Sequence, residues 1–406
     1  MSSLLQSLSD EQTWAAFREY KSKHSHMSGK EFQRLDEFIE QKRYLEITRR
    51  LGEPNHGFSI PRYRVINKSG TRKKRVIYTF PPDETWVLKL LTWLLYKYDD
   101  KLCKNCFSFR RNLTVKDAMD RVLSIPNLRQ KYTLKVDIRN YFNSMPIQGM
   151  REVLKTIIDD DEELLRFLVD FLSVDKAVCD DQIRREPRGA MAGVPISAFM
   201  ANIYLTSLDR EFEEMGISYF RYSDDILILT ESEEQRDRCK DLLERRIQEK
   251  GLSLNPDKVV QTDPGHPWEF LGFAYNDGKI DLSSVTIAKM KAKMKRKCRA
   301  LYRWRQKKEV DFDRAAKVVI RVFNQKFYDV DERYDFTWSR WFFPVLTTDK
   351  GLHVLDQYLV SELRYIYSGR HYKGNYAVSY NRLKFLGFRS LVNEYHTFKK
   401  TGKQST

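Results

Sequence analysis

The hydrophobic and polar positions of this chain repeat with the period of a helix in some stretches and with a period of two in others. Residues 1–50 have the helical period and predict two amphipathic helices. Residues 59–78 predict two strands around a turn at Asn67–Gly70, and residues 86–98 predict a buried helix. The alternation in Tyr132–Ile138 predicts a strand.

The second third of the chain predicts long helices around a hairpin. Helical patterns cover residues 150–174 and 196–215. Strands at 219–222 and 226–229 flank a tight turn. An amphipathic helix over 231–250 ends at Gly251. Short strands are expected at 252–254, 268–273 and 279–281.

Composition indicates a folded protein with a polyanionic partner. The chain has 406 residues, is 41% hydrophobic and carries a formal net charge of +16. The first ten residues lack a basic, apolar signal sequence, and the apolar stretch 86–96 is too short to span a bilayer and contains Lys89. An odd set of five scattered cysteines suits a reducing compartment. These features predict a cytoplasmic protein with no membrane partner.

Basic residues are concentrated in one later segment. Residues 283–308 contain eleven Lys or Arg and no Asp or Glu, with Tyr302 and Trp304 among them. This predicts a helix along a nucleic-acid backbone, although a solvated helix face is the usual meaning of a charge run. The change in composition places a domain boundary near Leu282. The predicted domains are a helical extension (1–50), a first domain (51–282), a basic helical domain (283–400) and a tail (401–406).

The chemically most informative segment is Tyr222-Ser223-Asp224-Asp225, at the predicted hairpin tip. Adjacent carboxylates repel each other, so a cation is expected beside them. Two Mg²⁺ ions would suit nucleotidyl transfer, because magnesium prefers carboxylate oxygens and completes its shell with phosphates. The simpler interpretation is a solvated turn, in which Asp and Ser are common.

A third acid on another predicted strand favours the magnesium site over the solvated turn. Asp137 lies at the end of the predicted strand 132–138, and Tyr141-Phe142 follows it at a strand-to-helix bend. These two segments resemble motifs A and C of reverse transcriptases. Five further segments are similar to that family in the same order. They are Asn67–Tyr78, Phe107–Arg110, Gly193–Leu205, Gly251–Lys258 and Phe270–Phe273.

The resemblance covers about residues 59–281 and implies a fold and a reaction. The fold is α+β, a right-hand polymerase whose fingers and palm contain an antiparallel sheet, followed by an α-helical thumb. The reaction is RNA-directed DNA synthesis from dNTPs with two Mg²⁺ ions, for which Mn²⁺ is a possible substitute. The implied macromolecular partners are a structured non-coding RNA, as scaffold and template, and the cDNA product.

The resemblance also assigns roles to individual residues. The metal ligands would be Asp137, Asp224, Asp225 and the carbonyl of Ile138. Lys258 would protonate or neutralise the leaving pyrophosphate. Phe142 would exclude a ribose 2′-hydroxyl, with core packing as its alternative. The remaining nucleotide-binding candidates are Lys68, Lys74, Arg75, Ser197 and Asn202, and the nucleic-acid-binding candidates are Arg110, Tyr222, Phe270, Leu271, Gly272, Lys291, Lys295, Arg299 and Arg303.

One departure from the family pattern indicates which kind of reverse transcriptase the chain resembles. Met191-Ala192-Gly193 stands where many reverse transcriptases have Pro-Gln-Gly. The form Met-Ala-Gly-Val-Pro-Ile-Ser, together with residues 380–395, resembles the prokaryotic "unknown group" enzymes, many of which act in phage defence. Retron-type and group II intron-type enzymes, untemplated DNA synthesis, an RNA polymerase with the same palm and a non-enzymatic RNA-binding scaffold are the alternatives.

Overall fold

The structure is a computed structural model that describes residues 3–24, 27, 29–52, 57–67, 74–186, 189–328 and 338–402. Lys68 and the rest of the predicted turn after Asn67 lie outside these residues. Nearly all described residues up to Pro264 form one compact unit, and those from Gly265 onward form a second. None of the described helices is both long enough and apolar enough to cross a membrane.

The described part of the amino-terminal region has three α-helices where the sequence predicts two. They are α1 (Glu11–His24), α2 (Gly29–Glu40) and α3 (Tyr44–Arg49). Trp14, fully buried on α1, stacks on Tyr44 with ring centroids 5.0 Å apart, and it meets Phe38 edge-on at 5.3 Å. The third helix is therefore fixed by burial of an aromatic cluster, a tertiary effect that the short local pattern does not reveal.

A four-stranded sheet with the order β2-β1-β4-β5 follows. Its strands are β1 (Arg62–Asn67), β2 (Lys74–Thr79), β4 (Lys176–Cys179) and β5 (Gln182–Arg185). The predicted pair 59–78 is confirmed as β1 and β2, which are antiparallel with Asn67 opposite Lys74. The β4–β5 hairpin joins this sheet through a parallel contact of Arg62 with Val178.

The second sheet of this unit has the order β6-β7-β3-β8, with every neighbouring pair antiparallel. We call it the palm sheet. Its strands are β3 (Tyr132–Asp137), β6 (Ser218–Tyr222), β7 (Asp225–Thr230) and β8 (Val260–Thr262). The strand at 132–138 and the hairpin at 219–229 are confirmed, whereas β8 lies beyond the strand expected at 252–254. There, Leu254 makes only an isolated bridge to Ile138.

Helices pack around the palm sheet, and two predicted long helices are each broken in two. The helices of this unit are α4 (Pro82–Leu94), α5 (Val115–Leu123), α6 (Tyr141–Ser144), α7 (Ile147–Ile157), α8 (Glu162–Ser173), α9 (Ser197–Tyr204), α10 (Thr206–Glu214) and α11 (Glu233–Glu249). The single helix expected over 150–174 is wrong, because Asp161 caps a new helix by accepting from the backbone N–H of Leu164. The single helix over 196–215 is also wrong, because the backbone leaves the helical region at Leu205.

The second unit joins a small sheet to the carboxy-terminal helices. Its elements are β9 (Trp268–Phe270), β10 (Phe273–Asn276), β11 (Lys279–Leu282), α12 (Ser284–Lys308), α13 (Phe312–Tyr328), α14 (Trp338–Phe342), α15 (Lys350–Ser368), α16 (Tyr380–Phe385) and α17 (Leu391–Thr401). Phe273 packs on Phe342 at 5.1 Å, and the Asp281 carboxylate accepts from Thr348. Because of such contacts, residues 265–282 cluster with the helices, although the sequence places the boundary near Leu282.

Candidate active site

The β6–β7 turn brings the adjacent acids to the edge of the palm sheet. Ser223 has a positive φ of 61°, which a tight turn requires and which costs energy for a residue with a side chain. A hydrogen bond to the protein interior stabilises the turn, because the backbone N–H of Ser223 donates to the buried Ser108 hydroxyl at 2.9 Å. Tyr222 and Asp225 face each other across the turn as a strand pair.

Pairing of β3 with β7 places the third acid beside the turn. Asp137 is the register partner of Asp225, at the last pair of the two strands. Just beyond it, the N–H of Ile138 donates to the Asp224 carbonyl at 3.1 Å. The three carboxylates are thus brought to one end of the sheet by main-chain hydrogen bonds.

The electrostatics of the three acids show an excess of negative charge. Burial, and after it the nearby charges of Asp225 and Asp137, together raise the pKa of Asp224 to about 6. Lys258 opposes this rise with its positive charge. A cation close to such a carboxylate stabilises its charged form.

Asp137 has cationic and amide partners in this structure. The ammonium of Lys258 donates to Oδ2 of Asp137, and Nδ2 of Asn255 donates to Oδ1 at 3.3 Å. The backbone supports this arrangement, because the N–H of Asn255 also donates to the Asp137 carbonyl at 2.8 Å. Lys258 therefore contacts the acidic cluster, and its role at the leaving pyrophosphate stays a prediction.

The donor set suits magnesium held jointly with a nucleotide. Magnesium binds through one or two carboxylates and completes its shell with water and phosphate oxygens. Across the described ranges, no three Asp, Glu, His or Cys side chains converge closely enough to enclose an ion by themselves. Asp137, Asp224 and Asp225 would hold such an ion, and their unbalanced charge is the feature that fits it.

A buried ion pair supports the turn, and the sequence did not single it out. Arg221 on β6 and Asp209 on α10 are both fully buried, and Nε of Arg221 donates to Asp209 Oδ1 at 2.7 Å. Nη2 of Arg221 donates to the Asn202 carbonyl at 2.9 Å, and Nη1 donates to the Ser223 carbonyl at 3.4 Å. The Tyr219 hydroxyl also donates to Asp209, at 2.9 Å.

This network explains the break between α9 and α10. Carbonyls in the last turn of a helix have no intrahelical donor. The guanidinium of Arg221 donates to two of them, those of Ala201 and Asn202. The signal available in the sequence was an arginine at an interior position of an otherwise apolar, aromatic strand.

The nucleotide-binding candidates of the β1–β2 hairpin are only partly described. Lys74 and Arg75 are exposed at the start of β2. The guanidinium of Arg75 lies 5.9 Å from the centroid of the Phe142 ring, which is itself half-buried and meets Phe109 edge-on. Phe142 therefore lies beside a candidate phosphate-binding group, and both its gating and packing roles stay predictions. Lys68 lies outside the described residues.

Three other candidates use their polar groups inside the protein. Ser197 is buried and donates to the Met191 carbonyl at 2.6 Å. Asn202 is buried and pairs with Ser108, accepting from its hydroxyl at 2.8 Å. Arg110 donates to the carbonyls of Cys103 and Asp99 at 3.0 and 2.7 Å. We therefore correct the direct contacts expected of these side chains to supporting roles, because their donors and acceptors already have partners.

The candidates for primer and template contacts lie in different settings. Tyr222 is half-buried beside the acids, and burial raises its pKa to about 12. Phe270 is fully buried in the small sheet, so its ring packs there and does not contact a primer. Leu271 and Gly272 form the partly exposed β9–β10 turn, where Gly272 has a φ of 89° and a Cβ would lie 2.9 Å from Thr286.

The basic candidates of α12 follow one side of the helix at intervals of four residues. Lys295, Arg299 and Arg303 are exposed, whereas Lys291 is half-buried with its ammonium 5.2 Å from the Tyr358 ring centroid. The opposite side carries buried apolar residues that include Met294. The predicted helix is confirmed, and its contact with a nucleic-acid backbone stays a prediction.

Residues 66–275 of the chain match the family described as reverse transcriptase (RNA-dependent DNA polymerase). The chain belongs to the reverse transcriptase family. It is an RNA-directed DNA polymerase, and its fold is α+β of the right-hand polymerase type, as the sequence predicts. Members of this family generally use divalent metal ions.

Among curated proteins, this reverse transcriptase is 24% identical over 242 residues to the retron Ec86 reverse transcriptase of Escherichia coli, covering 57% of the chain and 69% of the relative. A solved apo telomerase of Candida tropicalis, truncated from its C-terminal domain, has a TM-score of 0.47 at 13% identity, covering 56% of this chain and 55% of that one. A Candida albicans telomerase with a fragment of telomeric RNA has the same TM-score and identity, covering 85% and 66%.

Proposed function

We propose that this reverse transcriptase copies a structured non-coding RNA with which it associates into cDNA, by a two-metal mechanism, in a prokaryotic anti-phage defence system in the cytoplasm. The arrangement of acids at the end of the palm sheet supports the proposed reaction. There Asp137 and Asp225 are register partners, and Asp224 lies half-buried beside them with a raised pKa. Such a charge cluster is costly to maintain without a cation.

The roles of the chain's own residues follow from their positions. Divalent ions at this site would lower the pKa of the primer 3′-hydroxyl and neutralise the triphosphate. Asp137, Asp224 and Asp225 hold the charge that attracts those ions. The ammonium of Lys258, already at the cluster, neutralises or protonates the departing pyrophosphate. Arg75 binds phosphate, and the Phe142 ring beside it fills the space of a 2′-hydroxyl.

The defence assignment rests on the Met191–Ser197 form of motif B and on the resemblance of residues 380–395. A retron-type enzyme is the second candidate, and the similarity to the retron Ec86 reverse transcriptase favours it. In either type, the RNA partner would supply the template. A non-enzymatic scaffold is disfavoured by the retention of all three acids.

Sequencing the nucleic acid that co-purifies from cells tests the proposal. The wild type is compared with the double variant Asp224→Ala/Asp225→Ala, with and without phage challenge. We expect one bound RNA in both proteins and a cDNA antisense to it in the wild type alone. DNA with no relation to the bound RNA would overturn templated copying, and identical DNA from the double variant would overturn the assignment of the acids.

A further inference from the structure

A second basic segment without acids lies near the carboxy terminus. Residues 363–393 contain six Lys or Arg, no Asp or Glu, and seven Tyr or Phe. The segment runs from the end of α15 through the 369–379 loop and α16. Basic residues interleaved with aromatic residues are typical of surfaces that bind single-stranded nucleic acid.

Internal hydrogen bonds fix the conformation of the 369–379 loop. The Ser368 hydroxyl donates to Oδ1 of Asn375 at 2.6 Å. Nδ2 of Asn375 donates in turn to the carbonyl of Arg370, also at 2.6 Å. Asn375 is only 4% exposed, so it supports the loop from within. The side chains that the loop carries outward are therefore held in place before any ligand arrives.

Two tyrosines on this loop are exposed, each close to an arginine. Tyr376 is 67% exposed and the guanidinium of Arg364 lies 4.7 Å from its ring centroid. Tyr372 is 50% exposed, with the guanidinium of Arg370 at 5.3 Å. The Tyr372 ring lies against Gly374, where a Cβ would come within 2.4 Å of it. The position of the Tyr372 ring therefore requires glycine at residue 374.

The two tyrosines border a cavity of about 570 Å³, which Arg364 and His371 also line. We call it the tyrosine pocket. Glu362, the acid next to this segment, is 2% exposed, and Nε2 of His371 lies 3.5 Å from its Oε1. The carboxylate is thus turned inward beneath His371, and the charged groups of the 369–379 loop itself are basic. A polyanion with flat rings is the ligand whose chemistry matches this surface.

We propose that the tyrosine pocket binds single-stranded nucleic acid. Bases stack on Tyr372 and Tyr376, while Arg370 and Lys373 contact the adjacent phosphates. This binding requires no nucleotidyl transfer, so it does not depend on the proposed templated synthesis. RNA and DNA single strands share the stacking chemistry, and the experiment distinguishes them.

The test measures binding of two fluorescent probes of about ten nucleotides, oligouridylate and oligothymidylate. The full chain is first saturated with a dideoxy-terminated RNA–DNA template–primer, so that the polymerase site is occupied. We expect Tyr372→Ala and Tyr376→Ala each to weaken probe binding by about tenfold. The Phe variants should stay within roughly twofold of the wild type, because a phenyl ring retains the stacking face. Weaker binding of oligothymidylate than of oligouridylate would mark RNA as the natural ligand, and the reverse would mark DNA.

Phe385→Ala is the matched control, because Phe385 is 85% exposed on α16 and does not line the pocket. Gly374→Ala should reproduce the loss without removing a ring, since it displaces Tyr372. Thermal unfolding of each variant shows that the chain remains folded. Unchanged binding in the double Tyr372→Ala/Tyr376→Ala variant, or an equal loss in Phe385→Ala, would overturn the proposal. Cross-linking of a 4-thiouridine oligonucleotide to the loop supports it directly, and cross-links confined to other segments contradict it.

Discussion

The buried pair of Arg221 and Asp209 allows stability and activity to be separated by mutation. Removing one partner of a buried ion pair leaves the other charge without compensation and costs about 3–5 kcal/mol. That is a large fraction of the ~5–15 kcal/mol that stabilises an ordinary domain. Arg221→Met should therefore lower the free energy of unfolding by about 3–5 kcal/mol. It removes donors from both Asp209 and the Ser223 carbonyl.

Replacing the whole network by apolar groups should restore most of the lost stability and leave activity impaired. Buried ion pairs exchanged for hydrophobic residues of similar volume are often neutral in stability. In the triple variant Arg221→Met/Asp209→Leu/Tyr219→Phe, no charged member of the network remains and the Tyr219 hydroxyl is also removed. We expect it to recover most of the loss but to stay about 1–3 kcal/mol below the wild type, because the carbonyls of Asn202 and Ser223 lose their donor. The turn still lacks the guanidinium that held Ser223, so the acids shift.

Two measurements are compared for each variant. Denaturant unfolding gives the free energy of unfolding, and primer extension on an RNA template gives kcat and KM. A displacement of about 1 Å at a catalytic group costs about 100-fold in rate, so kcat of the triple variant should fall by that order while KM for dNTP changes less. Arg236→Met is the control, because Arg236 is also buried, binds Glu233 and Asp263, and lies on α11 away from the turn. A triple variant with wild-type stability and wild-type kcat would refute the positioning role of Arg221.

Three further outcomes follow from the site. Asp224→Asn should raise the free energy of unfolding at pH 7 without divalent ions, by up to about 3 kcal/mol. The pKa of Asp224 in the folded chain is raised to about 6 from its ordinary value. The stability difference between variant and wild type, measured by urea unfolding, should therefore shrink below pH 6 and vanish below about pH 4. Phe142→Val should raise rNTP incorporation relative to dNTP in single-nucleotide extension, with Phe142→Tyr as the conservative control; equal selectivity in both would contradict gating. Lys258→Ala should lower kcat by up to about 100-fold, whereas Lys135→Ala, elsewhere on the palm sheet, should not; equal losses would refute a specific role for Lys258.

The sequence predicted the acids of the site better than it predicted their supports. Asp137, Asp224 and Asp225 could be found because they lie at the end of one apolar strand and in the turn between two others, where adjacent carboxylates indicate a cation site. Their pairing register could not be found, because strand pairing is a long-range property. Arg221 was missed because a single arginine in a strand ordinarily indicates an exposed position, and its buried partner Asp209 lies on a different element.

Helix boundaries show the same limit. The break after α7 had a local signal in Asp159-Asp160-Asp161, since aspartate favours the start of a helix. The break at Leu205 had none, because no glycine or proline marks it. It depends on carbonyls that a distant guanidinium satisfies. Arg110 and Asn202 were predicted as external contacts for a related reason, because burial of a polar side chain is visible only when its partners are in place.

Primer extension by the purified chain shows whether the three acids at the end of the palm sheet catalyse RNA-directed DNA synthesis. A labelled DNA primer annealed to an RNA template is incubated with dNTPs and Mg²⁺, and wild type is compared with Asp224→Asn. We expect template-length DNA from the wild type, loss of synthesis by several orders of magnitude in the variant, and no synthesis when EDTA removes the metal. Equal extension by both proteins would contradict the assignment of the site, and extension with NTPs in preference to dNTPs would contradict DNA synthesis.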